Sequence, residues 1–178
     1  MTTVESIPMD PSRLVDFLTD DETSLLARGY FMLRLEEEFK KSWRYGWSYA
    51  LLVVDVEGFT ELEQKEGERA VRSARLDICG EILSASRDTD LSARLDGRRF
   101  AILLPGTGDA GARAFVERVV NSIREGAFGR YKVSVGGCVS PDSGLKSADD
   151  FLELANRACE EAREQGDGSY VVADASKD

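Results

Sequence analysis

Histidine is absent from this 178-residue chain, which removes His-based triads, the commonest general base and every His-containing metal site. Any metal would need oxygen ligands. Cysteine is sparse: Cys79, Cys138 and Cys159 are isolated and odd in number, so they indicate neither a disulfide framework nor a metal knuckle. They are expected to be small buried hydrophobes in a reducing cytoplasm. The apolar run Ala50 to Val54 is far short of a membrane span, and Met1 to Asp10 lacks the basic and apolar segments of a signal peptide. Basic charge is also scarce. With 23 Lys and Arg against 33 Asp and Glu, the net charge of −10 excludes broad binding to duplex nucleic acid, which needs a basic face to displace counterions. A small anionic ligand stays open where arginines converge.

What is present is patterned. Residues 1–20 mix Pro8 and Pro11 with Leu14, Val15, Phe17 and Leu18 and read as an arm or short helix; 21–173 read as one domain and 174–178 as a polar tail. The methionine start and polar end are compatible with a stand-alone chain. From Thr23, apolar residues recur at helical spacing through Phe39, with Asp20 and Asp21 as acidic caps. Trp47 to Val56 reads as a central strand buried on both faces. Leu62 to Ser84 reads as helical, and Leu91–Leu95 and Arg99–Leu104 as a hairpin joined by a two-residue Asp96-Gly97 turn. A helix over 109–124, a strand over 131–139, a helix over 148–165 and a strand over 170–172 complete an α-β-α-α-β-β-α-β-α-β order. The fold class is α/β (α+β), with a five-stranded mixed sheet in a ferredoxin-like βααββαβ core and helices expected largely on one face.

The central strand ends in Asp55-Val-Glu-Gly-Phe-Thr60. Two alternate carboxylates on a fixed backbone suit a hard divalent cation, since magnesium takes oxygen ligands in near-octahedral order. The plainer reading is that Asp55 and Glu57 cap the following helix.

Several stretches together resemble the GGDEF domain, the diguanylate cyclase family that condenses two GTP into cyclic di-GMP. The resemblance runs from about Asp21 to Val172. The family's early D-x-L-T-G-L-x-N-R-R-x-F appears as Asp21-Glu-Thr-Ser-Leu-Leu-Ala-Arg-Gly-Tyr-Phe31, and its D-L-D-x-F-K as Asp55 to Thr60. Its closing motifs appear as Ser134-Val-Gly-Gly-Cys138 and Ala155-Asn-Arg-Ala-Cys-Glu-Glu-Ala-Arg-Glu-Gln-Gly166.

The signature turn departs from the family. Where members read G-G-(D/E)-E-F, this chain reads Asp96-Gly97-Arg98-Arg99-Phe100. Two carboxylates, one of them a metal ligand in the family, are replaced by arginines. At an effective dielectric near 20, each unit-charge pair at 4 Å is worth about 4 kcal/mol. Glu63-Gln64 stand where the family has its guanine-reading Asn and following Asp, and Arg72 where it has a second guanine-reading Asp. The resemblance with these departures implies a degenerate domain that is not an enzyme, with no metal and no cofactor.

The family's inhibitory product site, R-x-x-D, is retained as Arg87-Asp88-Thr89-Asp90, five residues ahead of the turn, and a third arginine aligns on Arg118. A guanidinium can donate to guanine O6 and N7, and a carboxylate can accept from N1 and N2 on the opposite edge. The plainer reading is a solvated local pair or cap. The implied function is a receptor for cyclic di-GMP acting on an unidentified protein partner, with a ligand-crosslinked homodimer as a further expectation. No nucleic acid or membrane insertion is expected. The alternatives are a ligand-independent interaction module and an enzyme: a residual cyclase, or a relative of the class III nucleotide cyclases, whose Asp-x-x-Gly-Phe-Thr stretch resembles Asp55 to Thr60.

Overall fold

The computed structural model describes residues 17–126, 131–140, 145–166 and 169–173. The expected arm up to residue 16 and the polar tail, 174–178, lie outside them. Strand β1 (Tyr49–Glu57) is the centre of the sheet and is buried along its first eight residues. Its neighbours are β3 (Arg99–Pro105) and β4 (Lys132–Ser140), with β2 (Leu91–Arg94) outside β3 and β5 (Tyr170–Ala173) outside β4. All pairings are antiparallel except β4 with β5. The register sets Asp55 between Arg99 and Ser134, and Glu57 opposite Lys132.

The run of apolar residues in β1 fills two cores, because alternate side chains point to opposite faces. Ala50, Leu52, Val54 and Val56 pack with Val71, Ile78 and Ile82 of α3 (Glu68–Ala85) and Phe115, Val119 and Ile123 of α4 (Asp109–Gly126). Tyr49, Leu51 and Val53 pack with Phe31, Leu35 and Phe39 of α1 (Arg28–Tyr45) and Phe151 and Ala155 of α5 (Ala148–Gln165). Helices therefore cover both faces, not largely one.

Local chemistry adjusts the expected boundaries. The helix expected from Thr23 starts at Arg28. Asp20 accepts from the Thr23 amide at 2.9 Å and hydroxyl at 2.7 Å, closing a turn ahead of the helix, while Ala27 at the N-cap offers no side-chain cap. The carboxylate that orders this segment is thus Asp20, one residue before Asp21. The helical stretch expected as one piece from Leu62 is divided at Gly67, whose φ of 84° leaves the helical region, into α2 (Phe59–Glu66) and α3. In α5, the Ser147 hydroxyl accepts from the Asp150 amide at 3.1 Å. All three cysteines are buried and none forms a disulfide. No helix among the described residues is long and apolar enough to cross a membrane.

Helix α5 lies flush on β4 because Gly136 has no side chain. A Cβ there would sit 1.9 Å from the Cys159 amide nitrogen and 2.4 Å from the Ala155 carbonyl oxygen, both backbone atoms. Gly137, on the other face, would meet the flexible end of Leu52 at 2.5 Å. Gly136→Ala is expected to cost about 3 kcal/mol or more by forcing the helix off the sheet, lowering Tm by about 6–12 °C. Gly137→Ala should cost less. Differential scanning calorimetry of the two variants checks the order.

Candidate nucleotide-binding sites

The C-terminal end of β1 opens onto a cavity of about 1140 Å³. Val56, Phe59, Leu62, Val71 and Tyr131 form its apolar walls, with Glu57, Glu63, Arg75, Asp96, Arg98 and Lys132 around them. Phe59 and Tyr131 meet edge to face at 5.6 Å, and the Arg75 guanidinium lies 5.6 Å from the Phe59 ring centre. Gly58, with φ of 110°, makes the sharp turn from β1 into α2. As its N-cap carries no side-chain cap, neither Asp55 nor Glu57 serves the capping role.

The signature turn forms one wall. Asp96 Oδ1 accepts from the Arg98 and Arg99 amides, both at 3.0 Å, and Oδ2 accepts from Arg99 Nε at 2.7 Å. Burial works against the Asp96 charge, but these bonds prevail and hold the carboxyl below the usual carboxylate range. The loop therefore spans Leu95 to Arg98, longer than a two-residue turn, with the Leu95 amide donating to the Arg99 carbonyl at 2.8 Å. The adjacent arginines diverge. Arg99 also donates to Asn156 Oδ1 at 3.3 Å on α5, whereas Arg98 turns to the strand end. Its Nη2 lies 3.1 Å from Asp55 Oδ2 and its Nη1 3.9 Å from Glu57 Oε1. Asp55 is 1% exposed and its Oδ1 has no hydrogen-bond partner. Burial pushes its carboxyl above the ordinary value, with Arg98 offsetting part of the effect.

Three further residues brace the turn. Arg94 Nε donates to the Asp96 carbonyl and Arg75 Nε to the Gly97 carbonyl, each at 2.9 Å. Both guanidinium groups then meet on Glu22, at 2.5 Å from Arg94 and 2.8 Å from Arg75. The segment ahead of α1 is thereby tied to the turn. Sequence reasoning missed Glu22, Arg75 and Arg94, whose partners lie far away along the chain. Arg75 has one local signal: it lies about one helical turn after Arg72. Arg72 itself is exposed and does not line the cavity, toward which the helix turns Val71 and Arg75.

The second candidate site lies at the opposite end of β2. The Arg87 amide donates to Asp90 Oδ2 at 2.8 Å and the Asp90 amide to the Arg87 carbonyl at 3.0 Å. This closes the R-x-x-D turn through the backbone, leaving the exposed Arg87 side chain outside the bond. Asp90 Oδ1 is buried without a partner. Arg118 Nη2 donates to the Ala85 carbonyl at 2.7 Å, and its guanidinium lies 5.2 Å from the Phe115 ring centre. Arg118 is thus held beside the chain that leads into Arg87. Asp55, Glu57, Asp96, Gly97, Arg98 and Arg99 gather at the first site, with Glu63 on its cavity wall; Arg87, Asp90 and Arg118 gather at the second.

The family model "Diguanylate cyclase, GGDEF domain" matches residues 17–169. The chain belongs to this family. It is 28% identical over 161 residues to diguanylate cyclase DgcP of Pseudomonas aeruginosa, covering 88% of this chain and 24% of that protein. It is 26% identical to diguanylate cyclase A of Treponema denticola, covering 93% of this chain and 47% of the relative. The chain therefore spans about a quarter to a half of the length of these relatives. Among solved structures, the GGDEF domain of TpbB (YfiN) from P. aeruginosa superposes with TM-score 0.81 at 26% identity, covering 89% and 95% of the two chains. DgcB of Caulobacter crescentus, solved with c-di-GMP, gives TM-score 0.81 at 20% identity, covering 92% and 89%, a likeness of fold.

These relatives overturn the expectation that the chain is not an enzyme: over most of its length it aligns with proteins named diguanylate cyclases. Arg98 and Arg99 fold onto Asp55, Asp96 and Asn156, and the cavity beside them stays open. The divalent ion that the family's chemistry calls for fits these residues poorly. Asp55 is faced by a guanidinium, and among the described residues no three His, Cys, Asp or Glu side chains group as ligands.

Because the folded state disfavours the Asp55 charge, Asp55→Asn is expected to stabilise the protein at pH 7 by about 1 kcal/mol, or 2–4 °C in Tm. The sign reverses the usual carboxylate case: with a folded value raised above the unfolded one, wild type regains stability as pH falls and Asp55 protonates. Calorimetry of both proteins at pH 7 and pH 4.5 should show the gap narrowing.

Proposed function

We propose that this GGDEF domain binds cyclic di-GMP through Arg87, Asp90 and Arg118 and that binding alters its association with a protein partner. The observation that carries the reading is Asp90, whose Oδ2 is committed to the Arg87 amide while its buried Oδ1 stays unpartnered. A buried carboxylate oxygen without a donor is costly, and guanine N1–H and N2–H are donors of the right kind. Arg87 and Arg118 supply the complementary chemistry: a guanidinium meets O6 and N7, and offsets phosphate charge on a protein of net charge −10. The fold likeness to DgcB, solved with c-di-GMP, agrees with this reading. Isothermal titration of the chain with cyclic di-GMP is expected to show saturable binding, weakened at least tenfold, about 1.4 kcal/mol, in Arg87→Ala and in Asp90→Asn. Silence at high micromolar ligand would remove the reading and favour a ligand-independent docking module.

A second reading is favoured by the open cavity at the C-terminal end of β1, lined by Glu57 and by Arg98, the partner of Asp55: GTP taken up there and condensed to cyclic di-GMP, the activity in the names of the relatives. Glu63 on its wall offers a carboxylate able to accept from guanine N–H groups. Incubation with GTP and Mg²⁺, followed by chromatography, tests it. Dinucleotide that is lost in Asp55→Asn supports this reading, and its absence at saturating GTP rejects it.

A further inference from the structure

We infer that Arg98 is a tethered counter-ion occupying the cation position at Asp55, so that a divalent ion binds this strand end only by displacing its guanidinium. Asp55 is 1% exposed at the buried end of β1, whereas the Arg98 side chain is 41% exposed. The arginine thus approaches from the solvent side and closes the carboxylate off. Its backbone is fixed independently of its charge: the amide donates to Asp96 Oδ1 at 3.0 Å, and the carbonyl accepts from the Val56 amide at 3.1 Å. Loop geometry therefore returns the side chain to the same place.

The guanidinium uses one oxygen of the pair. Nη2 meets Asp55 Oδ2 at 3.1 Å, and Oδ1 remains buried without a partner behind it. A second carboxylate of the strand end, Glu57, is shared between Arg98 at 3.9 Å and Arg163 at 4.0 Å. Arg163 in turn pairs with Glu160 at 2.6 Å. Two arginines thus neutralise the acidic groups that would otherwise draw a divalent ion, and Arg98 alone stands directly on the buried one. Removing its charge leaves Asp55 with an open oxygen pair; shortening it to lysine keeps the charge at the position.

The test follows free Mn²⁺ by electron paramagnetic resonance as the ion is titrated into the full chain. Arg98→Gln is expected to bind one Mn²⁺ at least tenfold more tightly than wild type. Arg98→Lys should stay near wild type, and Asp55→Asn in the Arg98→Gln background should abolish the gain. Equal affinity in wild type and Arg98→Gln, or a gain that survives Asp55→Asn, would overturn the inference. A measurement on the wild-type chain needs no variant: its Arg98 Nε–H resonance should shift as Mg²⁺ is raised to tens of millimolar. Mg²⁺ saturating the protein with that resonance unmoved would overturn the inference equally.

Discussion

The double-sided burial of β1 is the constraint on which the rest of the structure depends. Six consecutive residues, Ala50 to Asp55, are almost without exposed surface, and each is held by ladders to β3 and β4. Five are apolar and divide between the two cores. The sixth is a carboxylate, which enters the interior because the strand continues through it. Asp55 is therefore a charge placed by the backbone, and the surroundings must provide for it. Arg98 does so from the neighbouring hairpin, leaving one oxygen unsatisfied.

The same strand organises the surroundings of the turn. β3 lies against β1, so the loop that precedes it comes to rest beside Asp55 and Glu57. Arg94 and Arg75 fasten the loop carbonyls and converge on Glu22, making the lead-in to α1 part of the cavity's support. The R-x-x-D turn lies at the other end of β2, next to α4. One short strand separates two sites with different chemistry: a cavity with paired charges, and an exposed arginine turn with an unpaired buried oxygen.

Much of this was legible along the chain because it rests on local pattern. The apolar run of β1, the hairpin, and the helix over 148–165 with its glycine stop follow from periodicity and turn chemistry, and the spaced motifs identified the family. The expectation of helices largely on one face overlooked that the same run, a strand with no polar alternation, must be covered twice. What was not legible depends on distant partners. Nothing near Glu22 announces Arg75, 53 residues away, and nothing in Arg98-Arg99 indicates that neighbouring side chains would part toward opposite carboxylates. Substituting arginine for acid was read as loss of activity, a reading that the relatives named diguanylate cyclases overturn; in the fold the two arginines pair locally with Asp55 and Asp96. Alignment to a motif pointed to Arg72, while the rotation of the helix brings Arg75 to the cavity.

The most direct measurement maps amide chemical shifts of the isotopically labelled chain during titration with cyclic di-GMP. The account predicts saturable shifts at Arg87 to Asp90 and around Arg118, with Asp96 to Arg99 unmoved. Shifts concentrated on the signature turn and cavity while Arg87 to Asp90 stay silent, or no shifts at all, would contradict it.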